Sequence, residues 1–202
     1  VDFIRSLKPD IIVNATGSSP LLPPIAGLHE NIDKEGGKVS SILNMIEHVQ
    51  EYPEDLSGKK VVVIGGGAVG LDVVEFFAPR GAEVSMPVIG NGIDPVSKVD
   101  INTLMKKYNV RQMPNTALKE VRPDNFLVET KDGQEELPFD YGFVCLGMKA
   151  EHPVLQQLRE AFEDDDHIEI MNIGDSVRAR RIIEGTEEGR NILNTLEKRG
   201  YL

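Results

Sequence analysis

Three glycines in this 202-residue chain, Gly65, Gly67 and Gly70, are spaced as G-x-G-x-x-G. In a strand-to-helix connection, this spacing gives a tight turn at the first glycine, close approach of a pyrophosphate at the second, and close packing of the helix on the strand at the third. N–H groups at the start of the helix, and the positive end of its dipole, then face the phosphates. The predicted cofactor-binding residues of this turn are Gly65, Gly66, Gly67, Ala68, Val69 and Gly70.

The sequence on both sides of the glycines supports this interpretation. Residues 60–64 read Lys-Val-Val-Val-Ile, which is typical of a buried strand. Apolar residues then recur at helical spacing: Val69, Val73, Phe76 and Phe77. The alternative is a strand-to-helix turn that is rich in glycine only because it is tight.

The group that would distinguish NAD from NADP is not evident. An acidic residue that holds the ribose 2′-OH is expected about 20 residues beyond the turn, but residues 86–89 read Met-Pro-Val-Ile and Glu83 lies too early. Residues 86–92 also contain no Arg or Lys for a 2′-phosphate. Both NAD and NADP stay open, and NAD is preferred because an unpaired 2′-phosphate is harder to accommodate. Pro87 cannot donate to a ladder, so the strand is predicted to stop or distort there.

No other residues form a convincing catalytic or metal-binding pattern. The single cysteine, Cys145, lies between Val144 and Leu146, which favours a buried strand position over a redox role. The histidines have no metal-ligand spacing: His29, His48, His152 and His167. We therefore predict no catalytic side chain and no metal site.

Charge and composition exclude several classes of partner. The net charge of −11 and the pI near 4.9 argue against nucleic acid, which is bound by clustered Lys and Arg. No apolar run approaches the roughly 18 residues of a membrane span, so we predict no membrane association. One cysteine is consistent with a reducing cytoplasm, the predicted location. The oligomeric state is not indicated.

The elements predicted before the glycine turn and directly after it alternate between strands and helices. A short helix within residues 1–10 precedes a strand over residues 10–14, and a helix is predicted over residues 41–51. A second parallel strand covers residues 82–86 and a third residues 110–113. Between them, a helix capped by Asp94 and opened by Pro95 would bury an apolar side: Val96, Val99, Leu104 and Met105.

From Ala117 onwards, apolar residues recur at every second position. Residues 118–122, 126–130 and 135–138 predict a three-stranded antiparallel meander, with Asp132-Gly133 as a hairpin turn. Residues 141–147 return to the parallel sheet, and the predicted tail contains a helix over 154–162, a strand over 168–173 and a long helix over 179–198. The predicted inner side of that long helix is Ile182, Ile183, Ile192, Leu193 and Leu196.

This order of elements is similar to the NAD(P)H domains of two-dinucleotide flavoproteins. Val-Asn-Ala-Thr-Gly-Ser at residues 13–18 resembles their "ATG" segment, and Ile-Gly-Asp at 173–175 resembles their "GD" segment. More closely, residues 70–77, 140–148 and 173–194 resemble the C-terminal flavin/nicotinamide region of the 2,4-dienoyl-CoA reductase, enoate reductase and NADH oxidase group, relatives of old yellow enzyme.

The resemblance implies an α/β fold with a Rossmann-like three-layer parallel sheet, an antiparallel meander, and partial strips of a split FAD domain at both ends. The domains would be residues 1–28 (FAD strip), 29–58 (connector), 59–150 (NAD(P)H domain) and 151–202 (FAD strip). The implied FAD-side residues are Ala15, Thr16, Gly17, Gly174 and Asp175. For Asp175, helix capping is the alternative role. Gly147 and Met148, at the end of the returning strand, are predicted to contact the nicotinamide side, the alternative being an ordinary loop glycine.

The implied function is that of an FAD-dependent NAD(P)H oxidoreductase in which NAD(P)H passes a hydride to FAD. The chain begins with Val1 and has no second G-x-G-x-x-G, so we expect a fragment that is inactive alone. FAD binding by these residues alone is therefore in doubt. By resemblance, the partners are the remaining FAD half and a barrel that carries FMN and an iron–sulfur cluster. The alternative is a non-catalytic nucleotide-binding or protein-interaction module.

Overall fold

The computed structural model describes residues 1–90 and 98–200, with the side chains of 98–101 left aside. The chain divides into two compact units. The split unit consists of Val1–Ser19 and Met148–Leu202, and the continuous unit is Pro20–Gly147. The predicted helix start at Asp94 and Pro95, and the predicted inner residues Val96 and Val99, lie outside what the structure describes.

The described residues form twelve strands and eight α-helices. The strands are β1 (Ile11–Asn14), β2 (Ser18–Pro20), β3 (Val39–Ser40), β4 (Lys60–Ile64), β5 (Glu83–Val88), β6 (Arg111–Pro114), β7 (Ala117–Val121), β8 (Asn125–Thr130), β9 (Gly133–Pro138), β10 (Tyr141–Val144), β11 (Met148–Ala150) and β12 (Glu169–Asn172). The helices are α1 (Asp2–Ser6), α2 (Leu28–Asn31), α3 (Ile42–Glu47), α4 (Ala68–Phe77), α5 (Lys98–Lys107), α6 (Pro153–Ala161), α7 (Ile182–Arg190) and α8 (Ile192–Arg199).

The continuous unit is built on a five-stranded parallel sheet in the order β3-β10-β4-β5-β6. The central strand β4 is buried on both faces, and Val61 and Val63 have no exposed surface. Because both faces are buried, a strand of a parallel sheet appears in the sequence as a continuous run of apolar residues. The predicted parallel sheet is confirmed. The short edge strand β3 was not predicted, because two residues carry no periodicity.

Strands β7, β8 and β9 form the predicted antiparallel meander. Its apolar side packs on one face of the parallel sheet, where Phe126 lies in the same buried cluster as Val62 and Ile64. The opposite face carries α4, since Gly70 of that helix lies over the side chain of Val63. The continuous unit therefore has three layers: helix, parallel sheet and meander.

The prediction that β5 stops or distorts at Pro87 is wrong. The strand continues to Val88, and Pro87 pairs with Met113 of β6. Pairing in register with β4 ends at Ser85, so the missing N–H falls where that ladder has already opened. The carbonyl of Pro87 still accepts a hydrogen bond from the N–H of Gly65 at 3.0 Å.

The split unit contains a two-stranded parallel sheet of β1 and β12. A second strand pair joins β2, which follows β1 in the chain, to β11, which precedes β12. The long helix predicted over residues 179–198 is wrong, because Asn191 separates α7 from α8. Two glycines weaken α7, and one of them, Gly185, lies so close to Gly174 that a Cβ would come within 3.3 Å of its Cα.

The predicted inner side of that helix is also wrong in part. Leu196 is fully buried, but Ile182 is 90% exposed and Ile183 and Leu193 are also exposed. Helix α7 has no buried residue, and the buried residue of α8 is Leu196. No helix in the described part of the chain is long and apolar enough to cross a membrane.

Candidate dinucleotide-binding site

The glycine turn (residues 65–70) connects β4 to α4, and close packing requires two of its glycines. Gly65 has φ +114°, and a Cβ there would lie 2.2 Å from the carbonyl oxygen of Cys145. A Cβ at Gly70 would lie 2.1 Å from the carbonyl oxygen of Gly65. Gly67 differs, because its φ of −78° is ordinary and no atom lies within 4 Å of the Cβ position. The structure therefore leaves open space at the second glycine of the motif.

Helix α4 begins at this open position. Gly67 is its N-cap residue, no side chain caps the helix, and its first turn contains no acidic residue. The N–H of Leu71 makes the first intrahelical bond, to the carbonyl of Gly67 at 3.2 Å. The preceding N–H groups of Ala68, Val69 and Gly70 have no partner within the helix. Such a helix start favours an anionic group.

The glycine turn borders a cavity of about 480 Å³ at the carboxyl ends of β4, β5 and β10. Ligands of open α/β sheets bind at this edge. The cavity brings together six of the predicted residues, whereas Gly70 lies behind the turn and Met148 begins β11 in the split unit. Those lining the cavity are Gly65, Gly66, Gly67, Ala68, Val69 and Gly147.

A larger cavity, of about 770 Å³, lies at the amino ends of β4 and β5. Lys60, Glu83 and Arg111 are among its lining residues, and Arg111 is paired with Glu135. The open glycine turn and the start of α4 border the smaller cavity and not this one.

Gly147 follows the returning strand β10 with φ +106° and open space around its Cβ position. Its carbonyl already accepts a hydrogen bond from the N–H of Leu21 at 2.9 Å. Contact between the Gly147 backbone and a nicotinamide stays a prediction. The carbonyl is less available for it than the N–H, because it already accepts this hydrogen bond.

The end of β5 carries no charged side chain to read a ribose. Val88 lies against the turn, with its Cγ2 2.9 Å from a Cβ built at Gly66. Ile89 follows and is 73% exposed. Ile89 also lines the cavity.

Cys145 has a structural position behind the glycine turn. Its N–H donates to the carbonyl of Ile64 at 2.8 Å, and its side chain is 5% exposed. Burial raises the pKa of the thiol to about 12, with a smaller contribution from Asp72. The thiol is therefore protonated and unreactive at neutral pH. Among the described side chains, those of residues 1–90 and 102–200, no three His, Cys, Asp or Glu side chains form a potential metal site.

The FAD-side residues predicted from the resemblance lie together in the split unit. The ATG segment (Ala15, Thr16 and Gly17) follows β1, and the GD turn (Gly174 and Asp175) follows its parallel partner β12. Both segments are thus at the carboxyl ends of paired strands.

Asp175 does not cap α7, since the N-cap residue of that helix is Arg181. Its carboxylate instead accepts from the Ser18 hydroxyl at 3.1 Å and from the N–H of Arg180 at 3.0 Å.

The geometry fits both groups implied by the resemblance. A diphosphate fits the glycine turn because Gly67 leaves room for it and the helix start supplies donors. A flavin chain fits the ATG segment and the GD turn, since Gly17 has open space around it and each Asp175 oxygen retains a lone pair for a hydroxyl donor.

Comparisons with known proteins agree with this geometry. The sequence model of the family described as "Pyridine nucleotide-disulphide oxidoreductase" matches residues 4–174. The chain is 27% identical to an NADH oxidase of Thermoanaerobacter brockii over 93% of its own length and 28% of that protein. It is 26% identical to a bilirubin reductase of Mediterraneibacter gnavus over 96% of its length and 29% of that protein.

Among solved structures, a 2-naphthoyl-CoA reductase in complex with 2-naphthoyl-CoA is similar, with a TM-score of 0.75 and 27% identity. The match covers 93% of this chain and 27% of that one. This chain thus spans less than a third of the length of these three relatives.

Alanine at the second and third glycines of the motif distinguishes a position with free space from a tightly packed one. Gly70→Ala places a methyl group against a backbone carbonyl, so we expect the free energy of unfolding to fall by about 1–3 kcal/mol. Gly67→Ala meets no atom at an ordinary φ, so we expect a change of less than about 1 kcal/mol. Urea unfolding measures both, and equal losses would contradict this division.

The thiol of Cys145 should be protected by the fold. In native protein at pH 8 we expect slow reaction with a disulfide reagent, and fast reaction in denaturant. Because folding raises the thiol pKa above its unfolded value, stability should be unaffected below the unfolded pKa and fall as the pH rises from there towards 12. Native and denatured reaction rates of similar size at pH 8 would contradict burial.

Proposed function

Because this chain belongs to the pyridine nucleotide-disulphide oxidoreductase family, whose members bind FAD and NAD(P)H, we propose that its continuous unit binds NAD(P)H at the glycine turn. In the intact enzyme the bound nucleotide would deliver a hydride to FAD. The observation that carries the proposal is the open Gly67 position, which faces a cavity at the start of an uncapped helix.

The chain's own residues would bind and orient the nucleotide. Backbone N–H groups at the start of α4 would donate to the diphosphate, and Gly65 and Gly70 hold that backbone in place. Apolar residues of the cavity wall, among them Ile25, Val88 and Leu118, would exclude water. The nicotinamide and flavin, when bound, supply the hydride chemistry, so a protein acid or base is not required.

We further propose that the split unit is part of an FAD domain. Its sheet has only two strands, β1 and β12, whereas parallel sheets are normally covered on both faces by other elements. The ATG segment and the GD turn would contact FAD, and the remainder of an FAD domain would complete the sheet. The greater length of the relatives supports this arrangement.

For the whole enzyme, we propose that electrons pass on to a barrel that carries FMN and an iron–sulfur cluster and reduces an enoate or dienoyl-CoA double bond. The similarity to a 2-naphthoyl-CoA reductase and an NADH oxidase supports this assignment. The 202 residues alone would bind nucleotide without turnover. Reduction of an electron acceptor by this chain with NADH and added FAD would contradict that statement.

Nucleotide titration tests the central proposal. We expect the chain to bind NADH or NADPH with micromolar affinity, measured by calorimetry. Gly67→Val fills the open position and would remove about two charge-assisted hydrogen bonds, so affinity should fall about 100-fold or more. Gly67→Ala is the smaller matched change and should weaken binding less.

The unfolding curves of both Gly67 variants provide the control for folding. Unchanged affinity in a folded Gly67→Val variant would exclude the glycine turn from the site. Failure of the wild-type chain to bind either nucleotide at millimolar concentration would instead favour a non-catalytic interaction module.

Cofactor preference should be adjustable at Ile89. Ile89→Asp places a carboxylate near the expected ribose and should shift the NADH/NADPH affinity ratio towards NADH by about tenfold. Ile89→Arg should shift it towards NADPH, because a guanidinium pairs with a phosphate. Ile89→Ala is the uncharged control. Equal ratios in all three variants would show that the ribose lies elsewhere.

A further inference from the structure

An ion pair that sequence analysis did not find lies beside the GD turn. Arg180 Nη2 and Glu188 Oε1 are 2.6 Å apart, and the two side chains are only 20% and 33% exposed. Exposed ion pairs contribute little to stability. This pair is partly buried, and both of its side chains also contact the backbone of the turn.

Both members of the pair hold Gly174. Glu188 Oε2 accepts from the Gly174 N–H at 2.6 Å, and Arg180 Nη2 donates to the Gly174 carbonyl at 3.3 Å. Gly174 has φ +67°, which glycine adopts without strain. Both backbone polar groups of this residue are therefore fixed by side chains of one ion pair.

Arg180 also reaches the carboxylate of the turn. Its backbone N–H donates to Asp175 Oδ1, and the Ser18 hydroxyl donates to Oδ2. Two donors on different oxygens fix the plane of the carboxylate. One lone pair on each oxygen remains for an incoming hydroxyl group.

Close packing brings Glu188 to this position. Gly185, one turn earlier in α7, lies close to Gly174, because a Cβ at Gly185 would be 3.3 Å from the Gly174 Cα. Hydrogen bonding to Gly174 and the charge of Arg180 hold the pKa of Glu188 below its usual range, so it is charged at neutral pH.

We infer that Arg180 and Glu188 are positioning residues that preorganise the GD turn, so that the Asp175 carboxylate faces a polyol hydroxyl such as that of the ribityl chain of FAD. The inference rests on the proposed FAD role of the split unit. Preorganisation matters because a carboxylate that is already oriented loses less freedom on binding.

The test compares Glu188→Ala with Glu187→Ala in the full-length protein. Both variants remove one carboxylate from neighbouring positions of α7, but only Glu188 contacts the turn. We expect Glu188→Ala to increase hydrogen exchange of the Gly174 amide, and the dissociation constant of FAD, by about tenfold each. Glu187→Ala should change neither, and the NADH dissociation constant should stay the same in both.

Two further variants separate positioning from general stability. Glu188→Gln keeps an acceptor for the Gly174 N–H and should restore part of the FAD affinity. Arg180→Lys keeps the charge but lacks the planar guanidinium whose Nη2 donates both to the Gly174 carbonyl and to Glu188, so it should also weaken FAD binding. If Glu188→Ala does not fold, the FAD affinities of Glu188→Gln and Arg180→Lys test the inference.

Three outcomes would overturn the inference. They are unchanged Gly174 exchange in Glu188→Ala, an equal rise in exchange at all amides of the split unit, and unchanged FAD affinity in every variant. A wild-type protein that binds NADH but no FAD would contradict the FAD role itself, and the Gly174 exchange rates would still decide whether the pair holds the turn.

Discussion

The approach of α4 to the end of β4 is the constraint on which the continuous unit depends. At Gly70 a single added carbon would lie 2.1 Å from the carbonyl oxygen of Gly65, so the helix can sit this close only because a hydrogen replaces the side chain. That contact fixes where α4 begins. Because the helix starts there, its first N–H groups and the open Gly67 position face the cavity at the carboxyl end of the sheet. A helix held farther from the strand would not place these N–H groups at the cavity.

A site of this kind consists mainly of backbone. The cavity is lined mainly by glycines and apolar residues, and burial keeps the thiol of Cys145, one of the lining residues, neutral. Backbone donors have fixed directions and no rotamer freedom to lose, so they bind a diphosphate without the ordering cost of long side chains. The lack of an evident catalytic side chain in the sequence is thus compatible with redox chemistry, because the two cofactors carry the reacting atoms.

Local signals made much of this fold predictable, and long-range contacts account for what was missed. The glycine turn, the Val-rich strand before it and the Asp132-Gly133 hairpin each specify their structure within a few residues. Pro87 was misjudged because its effect depends on where the neighbouring ladder opens. The hold of Glu188 on Gly174 joins α7 to the turn after β12, and such a contact between two elements leaves no periodic pattern.

In the split unit, polar side chains align β1 with β12. A sheet of two parallel strands has little apolar area with which to fix its register, and a slip of one residue would exchange its faces. Here Asn14 and Asn172 pair directly across β1 and β12, and their side chains are joined at 2.7 Å. The buried Ser176 hydroxyl donates to Asn172 Oδ1 at 2.8 Å. Because this polar network accepts only one register, both strands end at the same level, and the ATG segment and the GD turn begin side by side.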